Sequence, residues 1–155
     1  MPVSSPIALP AINTQVQIGN GASPEIFSTI AFISDITGPA ISGQVVDVTS
    51  MSGGNAWRQK IVTLLDGGTV AFKAFWQPML ASHQNLLTLF SHRGQGAPGV
   101  PIDFRMVYPD QDATVYAFSG FVNKCSLTEA VAGVITADVE ITITGVVSGP
   151  GFFPS

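Results

Sequence analysis

Three apolar-rich segments separated by turn signals fill residues 102–147. Ile102–Tyr108 (IDFRMVY) breaks at Pro109-Asp110-Gln111-Asp112, and Thr114–Asn123 (TVYAFSGFVN) follows at hairpin distance. Val134–Val147 (VITADVEITITGVV) comes after a loop of small residues. In it Val139, Ile141 and Ile143 alternate with Asp138, Glu140, Thr142 and Thr144. Period-two alternation predicts a half-buried strand, aliphatics on one sheet face and carboxylates and hydroxyls on the other.

Upstream, the same reading predicts strands over Ile26–Ile33 and Gly43–Val48, split by Gly38-Pro39 and Ser42-Gly43. Thr69–Trp76 (TVAFKAFW) is a further strand, with Val70, Phe72, Ala74 and Trp76 on one face. After Pro78, the spacing of Leu80, Leu86, Leu87 and Phe90 predicts one helix of about three turns, with Ser82 as its cap and Gly94 as its stop. A helix that short must dock its apolar stripe on a sheet to persist. The stretch Thr49–Ile61 fits no element. It joins the breaker Gly53-Gly54-Asn55 to Trp57, Arg58 and Lys60. Residues 1–24, with prolines at 2, 6 and 10, read as an extended arm, either untethered or ordered by a neighbouring subunit.

Composition narrows the class. The 155 residues suit one domain, and only 10% are charged against roughly 25% in ordinary soluble domains. So sparse a charge suits a subunit of an obligate assembly. With six basic and ten acidic side chains, the net charge of −4 argues against gripping nucleic acid. The single Cys125 excludes a disulfide framework and reads as a small buried hydrophobe. The amino terminus lacks a positively charged signal region and no apolar run reaches eighteen residues, so synthesis in the cytosol without membrane insertion is expected.

Candidate chemistry is scant. No phosphate loop, nucleophile elbow or HExxH occurs, and the glycines of Arg93–Gly99 do not follow a strand. His83 and His92 are expected as surface or capping histidines at the two ends of the helix, since zinc needs three or four converging donors. Asp110 and Asp112 suit a hairpin turn better than a calcium loop, whose glycine and distal glutamate are missing. Asp138 and Glu140 point the same way on one strand, at roughly 6–7 Å, and read as a solvated face. No catalytic, metal or cofactor site is expected.

The order TVAFKAFWQP (69–78), NLLTLF (85–90), PIDFRMVYPD (101–110), VYAFSGFVNKCS (115–126) and VEITITGVV (139–147) resembles the major tail tube proteins of long non-contractile-tailed bacteriophages, the lambda type. The family's F-x-G-x-V strand corresponds to Phe118, Gly120 and Val122, and its closing T-G to Thr144-Gly145. The resemblance spans roughly residues 26–147. It implies a mainly β single domain (25–147), a β-sandwich or half-barrel with one short flanking helix, between the arm 1–24 and a tail 148–155.

It further implies six-subunit rings stacked into a tube around the tape measure protein, met by tail tip and tail terminator proteins, with DNA passing later through the lumen. Residues 49–68 would be the family's long inter-strand loop, placing Ser52, Gly53, Gly54, Asn55, Trp57, Arg58 and Lys60 at subunit contacts. Asp138 and Glu140 would face the lumen, because burying two like charges in an interface is costly and cations are few. The tail GPGFFPS stands where some relatives carry an immunoglobulin-like domain, and Phe152 and Phe153 on it would need a partner surface. Two alternatives stand beside this reading: a tube subunit of a contractile or secretion-type system, and a small β-barrel binding module using Trp57 and Trp76 at a rim.

Overall fold

The computed structural model describes residues 8, 10–20, 23–52, 56–91, 101–129 and 131–151. Nine strands and one helix follow in the order β1 (Gln15–Gly19), β2 (Phe27–Thr29), β3 (Ile33–Thr37), β4 (Ser42–Asp47), β5 (Lys60–Asp66), β6 (Thr69–Phe75), α1 (Ala81–Ser91), β7 (Ile102–Val107), β8 (Val115–Thr128) and β9 (Thr136–Ser148). Seven of them form an antiparallel sheet in the order β2-β1-β7-β8-β9-β6-β3, and β4 and β5 make a separate two-stranded ribbon. The fold is mainly β and its sheet is not a closed barrel.

Alternation places the core. Val70, Phe72, Ala74 and Trp76 are all buried, as are Ala137, Val139, Ile141, Ile143 and Val147 of β9. They meet Val16, Ile18, Ile102, Phe104, Met106 and Phe118 on the same sheet face. The opposite face carries the polar half of each strand.

Gly120 lies opposite Ile143 of β9 and Ile102 of β7. A Cβ there would stand 2.5 Å from the Thr142 carbonyl oxygen, so the middle position of the Phe118-Gly120-Val122 pattern must be bare. Gly145 has a different reason. Between the pairs Ser119↔Thr144 and Ala117↔Ser148, β9 carries more residues than β8, and this bulge begins at Gly145 with φ +79°. An L side chain is disfavoured at that φ.

The structure redraws several expected elements. Ile26–Ile33 is not one strand: β2 and β3 lie at opposite edges of the sheet, and Ile30–Phe32 crosses between them. Phe32, at φ 61°, makes the break. The segment 49–68 is not wholly loop, since Lys60–Asp66 is a strand. Ser82 lies inside α1 rather than capping it, and its hydroxyl accepts from the Ala31 N–H at 3.4 Å. Among the described side chains of α1, His83 and Leu86, one turn apart, are buried, while Leu87 is partly exposed. Gly94, His92 and the glycine run 93–99 lie outside the described residues, as does the side chain of Phe90.

The hairpin reading of Asp110 holds. Its carboxylate accepts from the Thr114 N–H at 2.6 Å and from the Thr114 hydroxyl, joining β7 to β8. Cys125 is half-buried in β8, and burial pushes its thiol pKa up.

Candidate assembly surface

The β4–β5 ribbon is the least explained part of a free subunit. Every residue of both strands is exposed. Register pairs Val45 with Val62, Val46 with Ile61 and Asp47 with Lys60, and a bulge brings Gly43 opposite Leu65. Val45, Val62 and Leu65 therefore share one ribbon face. Val46 and Ile61 share the other, and the bulge turns Leu64 toward them.

Leu64 and Leu65 are 68% and 63% exposed. A two-stranded hairpin is marginal in water by itself, and a strand apolar on both faces belongs inside a structure. The ribbon is shaped to be covered on both sides.

Its tip is braced from within. The Asp47 carboxylate accepts from the Thr49 N–H at 2.9 Å and from the Thr49 hydroxyl, and these bonds hold its pKa below the ordinary carboxylate range. The Thr49 hydroxyl oxygen accepts from the Gln59 N–H at 2.9 Å. Arg58 reaches Asp47 at 4.0 Å, with both side chains exposed. Ser52, Trp57, Arg58 and Lys60 all lie on this exposed tip, Trp57 at 79%. Gly53, Gly54 and Asn55 fall outside the described residues. The aliphatics of the ribbon stem were missed in the sequence, although their signal was there: VV at 45–46 and IVTLL at 61–65 lack the alternation of a half-buried strand.

Asp138 and Glu140 do lie on the polar face of the large sheet, but that face is not simply acidic. Lys73 stands directly across from Asp138, and Lys124 from Glu140. With Asp35 these groups line a shallow groove of about 190 Å³ holding three carboxylates and two ammonium groups, a net charge of −1. Asn123 donates to Glu140 at 3.0 Å. Register thus sets a lysine opposite each of these two carboxylates, although the sequence holds only six cations. Pairing of β6 with β9 brings Lys73 to Asp138 across more than fifty positions of sequence. Further along the same face Asp103 accepts from the Ser119 hydroxyl, and the Arg105 guanidinium stacks over the Phe27 ring at 3.6 Å.

His83 contradicts its expected surface position. It is fully buried, and its ring stacks on Trp76 with centroids 4.8 Å apart. Nδ1 accepts from the Gln77 N–H at 3.0 Å while Nε2–H donates to the Ala31 carbonyl at 2.9 Å. Ala31 lies in the crossover between the two sheet edges, so His83 and Ser82 fasten α1 to it. Trp76, buried in this stack, is no exposed rim aromatic. Among the described residues no three His, Cys, Asp or Glu side chains converge as a metal site, and no helix is long and apolar enough to cross a membrane.

Comparison with known proteins accords with this architecture. The family described as lambda phage tail tube protein, TTP, matches residues 13–148. No curated protein matches the chain. Among solved structures, the chain is similar to one in the virion of a native gene transfer agent particle, at 14% identity, TM-score 0.69, 92% of this chain and 98% of that one. A chain from the tail of an empty gene transfer agent particle, refined with C6 symmetry, gives 14% identity and TM-score 0.66 over 86% of this chain and 94% of that one. A chain from the sheath–tube complex of an extracellular contractile injection system gives 10% identity and TM-score 0.66 over 93% of each.

Proposed function

The chain belongs to the lambda phage tail tube protein family, and from that premise we propose that it assembles into six-membered rings stacked as the tube through which DNA leaves the virion. It is a structural component of the virion tail, and the family is not an enzyme family. The observation that carries the reading is the ribbon, whose aliphatics are exposed on both faces in the single subunit. Covering six such side chains offers roughly 1 kcal/mol each from apolar burial, against the entropy of association.

Sixfold rings accord with the C6 symmetry of the gene transfer agent tail that this fold resembles. The tape measure protein occupies the lumen first, and tail tip and terminator proteins close the two ends. Subunits assemble in the host cytoplasm. Ser52, Gly53, Gly54, Asn55, Trp57, Arg58 and Lys60 form the ribbon's contact tip. Asp138 and Glu140, with Lys73 and Lys124 across from them, line the lumen. A tube subunit of a contractile system is the second reading, favoured by the similar TM-score of the injection-system tube.

The test is negative-stain microscopy and light scattering of the concentrated purified protein, with and without tail-tip complexes. Rings or tubes are expected without added metal. A strictly monomeric species under both conditions overturns the reading, and co-assembly with a sheath protein decides for the contractile alternative.

A further inference from the structure

The large sheet curls until its two sides share a cleft. β7, β8, β9 and β6 separate β1 from β3 in the sheet order, yet the turn Ala11–Thr14 leading into β1 and Ile33–Ile36 of β3 line one cleft of about 500 Å³. The turn is closed by the Thr14 N–H donating to the Ala11 carbonyl at 3.1 Å. Ile12, Ile33, Ile36, Met106 and Tyr108 make the apolar part of the lining. Met106 is buried at the floor, while Ile12 is 72% exposed. The carboxy-terminal end of β9 arrives beside this cleft. Ser148 pairs with Ala117 of β8. The neighbouring Tyr116 shares the core face with Phe118 and meets the Tyr108 ring edge to face, with centroids 5.3 Å apart. Beyond Ser148 the backbone lies against Tyr116. A Cβ on Gly149 would run into that ring and stand 2.8 Å from the Val115 carbonyl oxygen, so only glycine lets the chain pass so close.

We propose that Phe152 and Phe153 of the same chain seat in this cleft and complete the core at the open end of the curled sheet. Both lie beyond the described residues, and the argument for them is reach and chemistry. They stand three and four positions after Gly149, which extended chain spans in about 10 and 13 Å. From the Tyr116 ring, on which Gly149 lies, the Tyr108 wall of the cleft is only 5.3 Å away. Two phenyl rings are large apolar groups, and the cleft offers them aliphatic side chains and a tyrosine. The amino-terminal segment is a poorer occupant. Its described residues Ala8, Pro10 and Ala11 are exposed, and no aromatic residue precedes Phe27. The docking lies within one subunit, so it goes beyond the tube reading and does not depend on it.

The experiment uses the full-length chain and two readouts. Phe152→Ser with Phe153→Ser should lower the melting temperature by roughly 4 °C or more, from the lost burial of two rings. Disulfide trapping then locates the tail, because the bond forms only where the two Cα atoms come within about 7 Å. In a Cys125→Ser background, Phe153→Cys is combined with Ile12→Cys at the cleft. The control combines it with Val146→Cys, three positions before Gly149 and 66% exposed. Phe152 remains in both to seat the tail. Circular dichroism confirms folding, and Cys125→Ala serves as background if the serine form is unfolded. Under mild oxidation the cleft pair is expected to close within one chain at least tenfold faster than the control, at a rate independent of protein concentration.

Equal rates for the two pairs mean that the tail has no seat in the cleft, and the proposal falls. Products linked between chains through Ile12→Cys mean that another copy's tail fills the cleft, which also overturns it. So does an unchanged melting temperature for the double serine variant. None of these results bears on whether the protein forms a tube.

Discussion

Replacing His83 tests whether the crossover between the sheet edges is fastened as described. His83→Phe keeps a ring of similar size against Trp76 but can neither donate to the Ala31 carbonyl nor accept from the Gln77 N–H. A buried polar group left without its partner costs about 1–3 kcal/mol. Both backbone groups lie near the surface, where water can partly replace the imidazole, so about 1 kcal/mol each is the appropriate figure. The expected loss for His83→Phe is thus about 2 kcal/mol. His83→Ala also forfeits the stacking with Trp76, about 1 kcal/mol, and leaves a cavity beside Leu86, for about 4 kcal/mol in all. At this chain length 1 kcal/mol moves the melting temperature by about 2–4 °C. The two variants should therefore melt about 4–8 °C and 8–16 °C below wild type. Urea unfolding followed by circular dichroism gives the free energies, and hydrogen exchange should show α1 and residues 30–32 losing protection together. If His83→Ala costs less than about 1 kcal/mol, the imidazole is not the fastener and the burial argument is wrong.

Gly120→Ala should cost about 1–3 kcal/mol by overpacking, because the added carbon meets the Thr142 backbone; chemical unfolding measures it. Thr114 hydrogen bonds hold the Asp110 pKa below its ordinary value. Its contribution is therefore complete above about pH 4 and lost as pH falls through the lowered folded value. Asp110→Asn should accordingly destabilise at pH 7, with the gap from wild type closing in acid, as melting temperatures across pH will show. Asp138→Asn with Glu140→Gln takes the groove from −1 to +1, three carboxylates becoming one against two ammonium groups. Assembly should persist while DNA release from virions slows; Lys at both positions should slow it further, most at low salt, where screening is weak. Failure of the neutral variant to assemble would place these carboxylates in an interface instead.

How much of this was written in the sequence depends on the range of the interactions involved. Apolar runs bounded by turn signals placed β6, β7 and β9, and alternation assigned the core faces of β6 and β9, because side-chain direction within a strand has period two whatever the partner. The Asp110 turn was equally legible, since Asp110 and Thr114 are four residues apart and bond locally. Low charge pointed to an assembly, and the ordered motifs resembled the family that the match over residues 13–148 establishes.

Tertiary structure decided what depends on partners distant in the chain. Lys73 faces Asp138 only because β6 pairs with β9, and His83 is buried only because Ala31 is brought to it across the sheet. A histidine near a helix end carries no local sign of that carbonyl. Ile26–Ile33 reads as one strand because six of its eight residues are apolar and no turn signal interrupts it, yet positive φ at Phe32 sends its halves to opposite edges. The ribbon stem shows the same division. Its aliphatic content was plain, but sequence patterning cannot tell a strand buried within its own chain from one left exposed, because burial is fixed by what the fold lays against it.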